Sequence, residues 1–212
     1  MRATIVRMPW GYQNPNARAR ARPRPAGGGR GVPAWYVILL AGVGIQRLRE
    51  LAVSQAHEKS MPGTRAASGT YPVMVAAHAG LLTLPLLEVW GHPDRRPRWE
   101  WAAVLVGATA LRVWSIRSLG VAWNARAAVP DSLQPVTSGP YRYVRHPNYV
   151  AVIAEFAALP LIAGAWMSAL ALSALNAVVL AHRITGEERL LERSADYRRA
   201  FGRRARFIPG VF

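Results

Sequence analysis

Between Gly139 and Tyr149 the chain reads Gly139-Pro140-Tyr141-Arg142-Tyr143-Val144-Arg145-His146-Pro147-Asn148-Tyr149. These residues have the chemistry to hold an anion and a planar ring. Gly-Pro sets a turn. Pro147 suits the first position of a helix, where its missing N–H costs nothing. The N–H groups of Asn148, Tyr149 and Val150 would then point out of the helix start. Together with the macrodipole they make an anion site at a membrane surface. Tyr141, Tyr143 and Tyr149 add aromatic faces for a planar base. The same residues also suit a plain proline-initiated helix with basic and aromatic interface anchors.

A second cluster is Arg183-Ile184-Thr185-Gly186-Glu187-Glu188. Arg183 and Glu187 stand at i and i+4 and share a helical face. Glu188, Glu192 and Asp196 are also spaced by four, so a continuing helix carries an acidic stripe without a basic residue at i+4. The stripe answers a cation elsewhere (Arg142, Arg145 or a ligand), or it is an ordinary solvated face. Glu155 is the third element. A carboxylate in an apolar helix is costly and faces the interior or a polar cavity. Asn148 and Glu155 are seven apart on one face, so Glu155 lines the same pocket; the alternative is a buried hydrogen bond, with Asn176 as partner. His78 reads as a buried polar contact, and Trp123 and Asn124 as packing.

Membrane helices must position these groups. The 212 residues are 51% hydrophobic and 18% charged, which excludes disorder of the whole chain. The absence of cysteine excludes disulfides, thiolate nucleophiles and sulfur-based zinc sites. The net charge of +16 invites a nucleic-acid reading. Its distribution argues against one, because the Arg residues lie in the tail and between long apolar runs. Basic segments facing lipid headgroups and water fit better. All the basic residues but Lys59 are Arg; with so much Ala, this suggests a GC-rich coding sequence and a bacterial host.

Apolar runs predict spans over about 32–50, 72–90, 99–117, 147–163 and 165–182. Residues 1–31, Arg-rich and of low complexity, should be disordered. Residues 149–181 carry one formal charge, Glu155. As one helix they would measure ~50 Å, against a hydrocarbon core of ~30 Å. Pro160 and Gly164 offer a break, which gives a hairpin. Both ends of a hairpin return to one side, so the loop 118–147 lies beside the segment 183–212. That segment carries 8 Arg and is expected in the cytoplasm. Counting back through five spans puts the N-terminus, with 7 Arg before residue 31, outside. This conflicts with the positive-inside tendency and leaves the first segment's orientation open. The fold class is all-α: a polytopic membrane bundle of about five spans, with a C-terminal helical hairpin and a cytoplasmic cofactor site.

The order Gly139-Pro140-Tyr141, Arg145-His146-Pro147-Asn148-Tyr149, apolar hairpin, Arg183-x-x-x-Glu187-Glu188, Tyr197 and Phe207-Ile208-Pro209-Gly210 resembles the isoprenylcysteine carboxyl methyltransferase family. Phospholipid methyltransferases are similar. The resemblance covers about residues 99–212. The segments Leu111-Arg112-Val113-Trp114 through Leu119-Gly120 to Trp123, and Tyr71-Pro72 to His78 to Glu88, look more like a bacterial subgroup. That subgroup methylates alkylpyrones and alkylresorcinols made by type III polyketide synthases.

The resemblance implies S-adenosylmethionine as methyl donor. By motif position, Tyr141, His146, Pro147, Asn148 and Tyr149 would contact it, and Leu133-Gln134-Pro135-Val136 would do so largely through backbone. Glu187, with Glu188 beside it, would bind the donor too. Arg183 would stand at the acceptor. Ala151 is a departure, since the family often has Gly there. A carboxylate acceptor needs no base; a phenol or enol does better deprotonated, which brings in Glu155, His146 or acidity assisted by Arg183. The implied partners are a lipid-like small molecule and the membrane, without nucleic acid. Two rival readings are a membrane NADPH-dependent sterol-type reductase and a non-catalytic lipid-binding protein.

Overall fold

The computed structural model describes residues 31–60, 63–66, 68–130 and 134–209. Apart from Gly31, the tail expected to be disordered over 1–31 lies outside the described residues. Among them the long helices are α1 (Ala34–Ser60), α2 (Tyr71–Glu88), α3 (Trp99–Leu119), α4 (Pro147–Ile162) and α5 (Trp166–Leu191), followed by the short α6 (Ala195–Phe201). The fold is all-α but for a small antiparallel ribbon, β1 (Gly63–Arg65) with β2 (Ala128–Pro130), in which Thr64 faces Val129. The ribbon ties the α1–α2 connection to the long loop after α3.

Among the described residues, three stretches are long and apolar enough to cross a bilayer: Tyr71–Glu88, Trp99–Ala122 and Trp166–Leu191. Helix α1 is long, but Arg47, Arg49 and Glu50 interrupt its apolar run. Helix α4 is apolar, yet its 16 residues reach only ~24 Å. Leu87, Val106, Leu170 and Val178 point outward and are strongly exposed. An exposed apolar belt of this kind suits lipid rather than water. Inside, Tyr36, Leu81, Phe156, Leu159, Ile162, Leu172 and Leu180 make one core.

The break between α4 and α5 falls at Gly164 rather than at Pro160. Helix α4 runs through Pro160 to Ile162, and Gly164 takes φ +72°, which a side chain rarely tolerates. Arg95 Nη1 caps the turn on the carbonyls of Ala163 (2.9 Å) and Gly164 (3.2 Å). Glu88 then caps α5 from another helix, accepting from the N–H groups of Met167 (3.0 Å) and Ser168 (2.7 Å). A carboxylate there complements the positive end of the α5 dipole. That clasp fixes α2 antiparallel to α5. Helix α5 also continues to Leu191 instead of ending near residue 182, so Arg183, Glu187 and Glu188 all lie on it.

Candidate active site

Two stretches distant in sequence meet where α4 begins and α5 ends. The turn Gly139–Arg142 lies against α3. Gly139 has φ +60°, and a Cβ there would collide with Ser118 Oγ and come within 3.1 Å of Trp114 Nε1. Only glycine lets the turn lie this close. Pro147 starts α4 as expected, with His146 at the N-cap. From α5, Glu187 accepts a 2.6 Å hydrogen bond from the Tyr149 hydroxyl. His146 Nε2 lies 3.2 Å from Glu188 Oε1. A carboxylate only accepts, so His146 carries its proton on Nε2 in this pairing. The His146 ring stacks on that of Tyr149, with centroids 5.4 Å apart.

The segment after α6 straps this junction. Arg145 and His146 donate their backbone N–H groups to the carbonyls of Ala205 and Arg206, both at 3.0 Å. Arg206 reaches Glu188 Oε2 at 2.7 Å, and Arg145 Nη1 lies 3.5 Å from Glu188 Oε1. Glu188 is thus a buried hub between three basic groups. Tyr141, Leu191, Tyr197 and Phe201 pack as a second small core beneath the strap. Burial, and then the nearby Glu187 charge, push the Tyr141 and Tyr197 phenols well above their ordinary range, so both remain hydrogen-bond donors.

A cavity of about 470 Å³ opens from this junction into the bundle. At the junction the wall carries the polar Tyr141, His146, Asn148, Tyr149, Arg183 and Glu187, with Pro135 and Val136 beside them. Its other side, from α1 and α2, includes the apolar Leu48, Leu51, Met74, Val75 and Leu82. Among the described residues, Asn148 Oδ1 and Arg183 Nε and Nη1 are buried and complete no hydrogen bond. Arg183 spends Nη2 on the Ala125 carbonyl at 2.8 Å, which aims the guanidinium beside the Tyr149 hydroxyl. Buried polar atoms left without partners mark where a ligand completes the site. Acidic, aromatic, amide and guanidinium groups together fit a donor that carries a carboxylate, cationic centres and a planar base.

Several expectations need correction. The N–H groups of Tyr149 and Val150 both donate to the His146 carbonyl (3.1 and 3.3 Å), so the three-donor anion site at the start of α4 does not form. Glu155 is buried but absent from the cavity wall. Its Oε2 pairs with Arg47 Nη2 at 2.7 Å and lies 3.7 Å from Arg112 Nη1, while its Oε1 is buried without a hydrogen-bond partner among the described residues. Asn176 is therefore not its partner and instead lines the cavity. The acidic stripe is not one helical face, because α5 stops at Leu191. Glu188 and Glu192 turn to Arg145, while Asp196 pairs with Arg199 on α6. Arg142 lies over the Tyr143 ring. Pro147 and Glu188 stand behind the wall, and Gln134 is exposed and off it. Leu133 and Gly210 fall outside the described residues.

Sequence reasoning also missed a set of cavity residues. Arg47, Glu50 and Arg112 line the inner end, where Arg112 Nε and Nη2 grip Glu50 Oε2 at 2.9 and 2.7 Å. The available signal was charge balance. Arg47, Arg112, Glu50 and Glu155 all interrupt apolar helices, and such charges survive burial only in pairs. Trp123 and Asn124 line the cavity as well, and so does His78.

The profile of the isoprenylcysteine carboxyl methyltransferase (ICMT) family matches residues 101–193, which covers α3, the loop, the α4–α5 pair and the end of α5. An uncharacterized protein of Bacillus subtilis (strain 168), YpbQ, is 32% identical over 161 residues, or 73% of this chain and 95% of the relative. The matched region holds every cavity residue from Arg112 to Leu191, and the relative extends the likeness beyond it. On these grounds the chain belongs to the isoprenylcysteine carboxyl methyltransferase family.

Proposed function

We propose that this protein is an integral-membrane O-methyltransferase that uses S-adenosylmethionine on a lipid-like acceptor. One observation carries the reading: a single cavity joins the Tyr141–Tyr149 stretch and the Arg183–Glu187 stretch to an apolar wall inside a helix bundle. Helices α1 and α4 complete five spans in this reading, with α1 tolerating its charges by pairing them inside the protein. The site faces the cytoplasm of a bacterial cell, on the side of the Arg-rich C-terminal segment.

When bound, S-adenosylmethionine supplies an electrophilic methyl group. Glu187, held by Tyr149, attracts positive charge on the donor. Asn148 offers its unused amide oxygen, and Arg145 a cation for a carboxylate. Tyr141, Tyr149 and His146 offer ring faces. Pro135 and Val136 close the wall beside them. Arg183 turns the two unpaired nitrogens of its guanidinium, Nε and Nη1, to the acceptor oxygen, holding it and stabilising negative charge on it. The acceptor's hydrocarbon tail lies along Leu48, Leu51, Met74 and Val75, so it need not leave the bilayer. Alignment of the acceptor oxygen with the methyl carbon then contributes much of the rate. A long-chain alkylpyrone or alkylresorcinol fits the expected bacterial setting better than a prenylcysteine.

The test is turnover of lipid extract with labelled S-adenosylmethionine by protein in nanodiscs, with the product identified by mass spectrometry. Arg183→Ala is expected to lose turnover while still binding the donor. NADPH binding in place of S-adenosylmethionine binding would overturn the methyltransferase reading in favour of a reductase.

A further inference from the structure

The inner end of the cavity carries polar groups that methyl transfer at Arg183 leaves unused. Asn176 is only 3% exposed and lines the cavity. Among the described residues its amide makes no hydrogen bond. His78, also on the wall, bonds through Nδ1 to the Met74 carbonyl at 2.8 Å. A carbonyl only accepts, so Nδ1 carries the proton and Nε2 is a bare acceptor. The clasp of Glu88 on α5 and the approach of Gly80 to Leu172 (3.1 Å from a Cβ placed there) set α2 antiparallel to α5. His78 and Asn176 therefore fall on neighbouring turns. Along α5, Asn176 precedes Arg183 by seven residues, which is ~10 Å.

The charges beside these groups cancel. Arg47 and Arg112 face Glu50 and Glu155, two cations against two carboxylates. An inner end of zero net charge does not suit a phosphate or a second carboxylate. It suits a neutral hydroxyl that donates to His78 Nε2 and accepts from the Asn176 amide.

We propose that Asn176 and His78 form an inner subsite for a second, uncharged oxygen of the methyl acceptor, deeper than the oxygen held at Arg183. This deepens the methyltransferase reading and rests on it. The subsite makes the protein selective for a ring head with two oxygens over a head with one. A site built to hydrogen-bond a hydroxyl discriminates strongly against the analogue without it, because its polar groups are then left unpaired.

The test uses two probes of equal chain length, pentadecylresorcinol and meta-pentadecylphenol, with full-length protein in nanodiscs. Equilibrium binding of each probe is measured alongside binding of S-adenosylmethionine. The resorcinol is expected to bind at least tenfold tighter than the phenol. Asn176→Leu and His78→Phe each close that gap to about threefold or less through weaker resorcinol binding, while His78→Gln, which keeps an acceptor, preserves part of it. Unchanged donor affinity verifies that each variant is folded; should one fail to fold, the other carries the test. Equal affinity in the wild type overturns the subsite, as does a gap that persists in both variants. Donor binding without binding of either probe overturns the subsite alone. Absence of donor binding in the wild type removes the methyltransferase reading and the subsite with it.

Discussion

Replacing Glu155 by Gln separates a structural from a catalytic carboxylate. Glu155 is 3% exposed, and its Oε2 lies 2.7 Å from Arg47 Nη2 and 3.7 Å from Arg112 Nη1. The same two guanidiniums share Glu50, at 2.5 and 2.7 Å. Neutralising Glu155 leaves one buried cation, Arg112, and one half-buried cation, Arg47, against one carboxylate. Removing one partner of a buried pair costs about 3–5 kcal/mol, because the remaining charge is stranded. For a chain of this size that lowers the midpoint of thermal unfolding by roughly 6–20 °C. The assay is thermal unfolding in nanodiscs, with S-adenosylmethionine affinity measured at a temperature where both proteins are folded. Affinity stays near wild type, since Glu155 does not reach the cavity wall. The double variant Arg47→Gln/Glu155→Gln restores charge balance and regains at least ~1 kcal/mol of the loss. A Glu155→Gln protein as stable as the wild type, yet without turnover, would falsify this reasoning and return Glu155 to the chemistry.

Other expectations follow from the same geometry. Tyr149→Phe removes the 2.6 Å hydrogen bond to Glu187, and loss of a bond to a charged group weakens donor affinity by about tenfold to a hundredfold, measurable by calorimetry. Gly139→Ala forces a side chain into Ser118 at positive φ; a cost of about 1–3 kcal/mol in unfolding experiments is expected, and no loss would mean the turn sits elsewhere. Glu188→Ala removes the carboxylate that Arg145, His146 and Arg206 share, so trypsin should cut the strap at Arg203–Arg206 several-fold faster than in the wild type; equal rates would show the strap is held by other contacts. S-adenosylmethionine at a hundred times its dissociation constant should stabilise the fold by about 2.7 kcal/mol, an effect absent if it binds nowhere.

Much of the fold is legible because membrane helices announce themselves by length and hydropathy. The runs at 72–90 and 99–117 match α2 and α3 within two residues at each end, since a helix in lipid must satisfy its own backbone. The motif around Pro147 marked the start of α4 for a local reason, the fixed φ of proline. Helix ends set by remote contacts were not legible. The start of α5 depends on Glu88, seventy-eight or more residues upstream, and its end depends on the strap after α6.

The sequence by itself determined which residue types the candidate site contains: His146, Asn148, Tyr149, Arg183 and Glu187, in an order that resembles one family. Tertiary structure decided their roles, because a carboxylate's work depends on the group it meets. Glu187 met Tyr149 at the cavity and stayed available, whereas Glu188 met His146 and Arg206 and became a strut. Glu155 met Arg47 behind the cavity wall, and Asn176 was left facing the cavity. Charges in apolar helices must find partners, but only the packing of four helices fixes which partner each one finds.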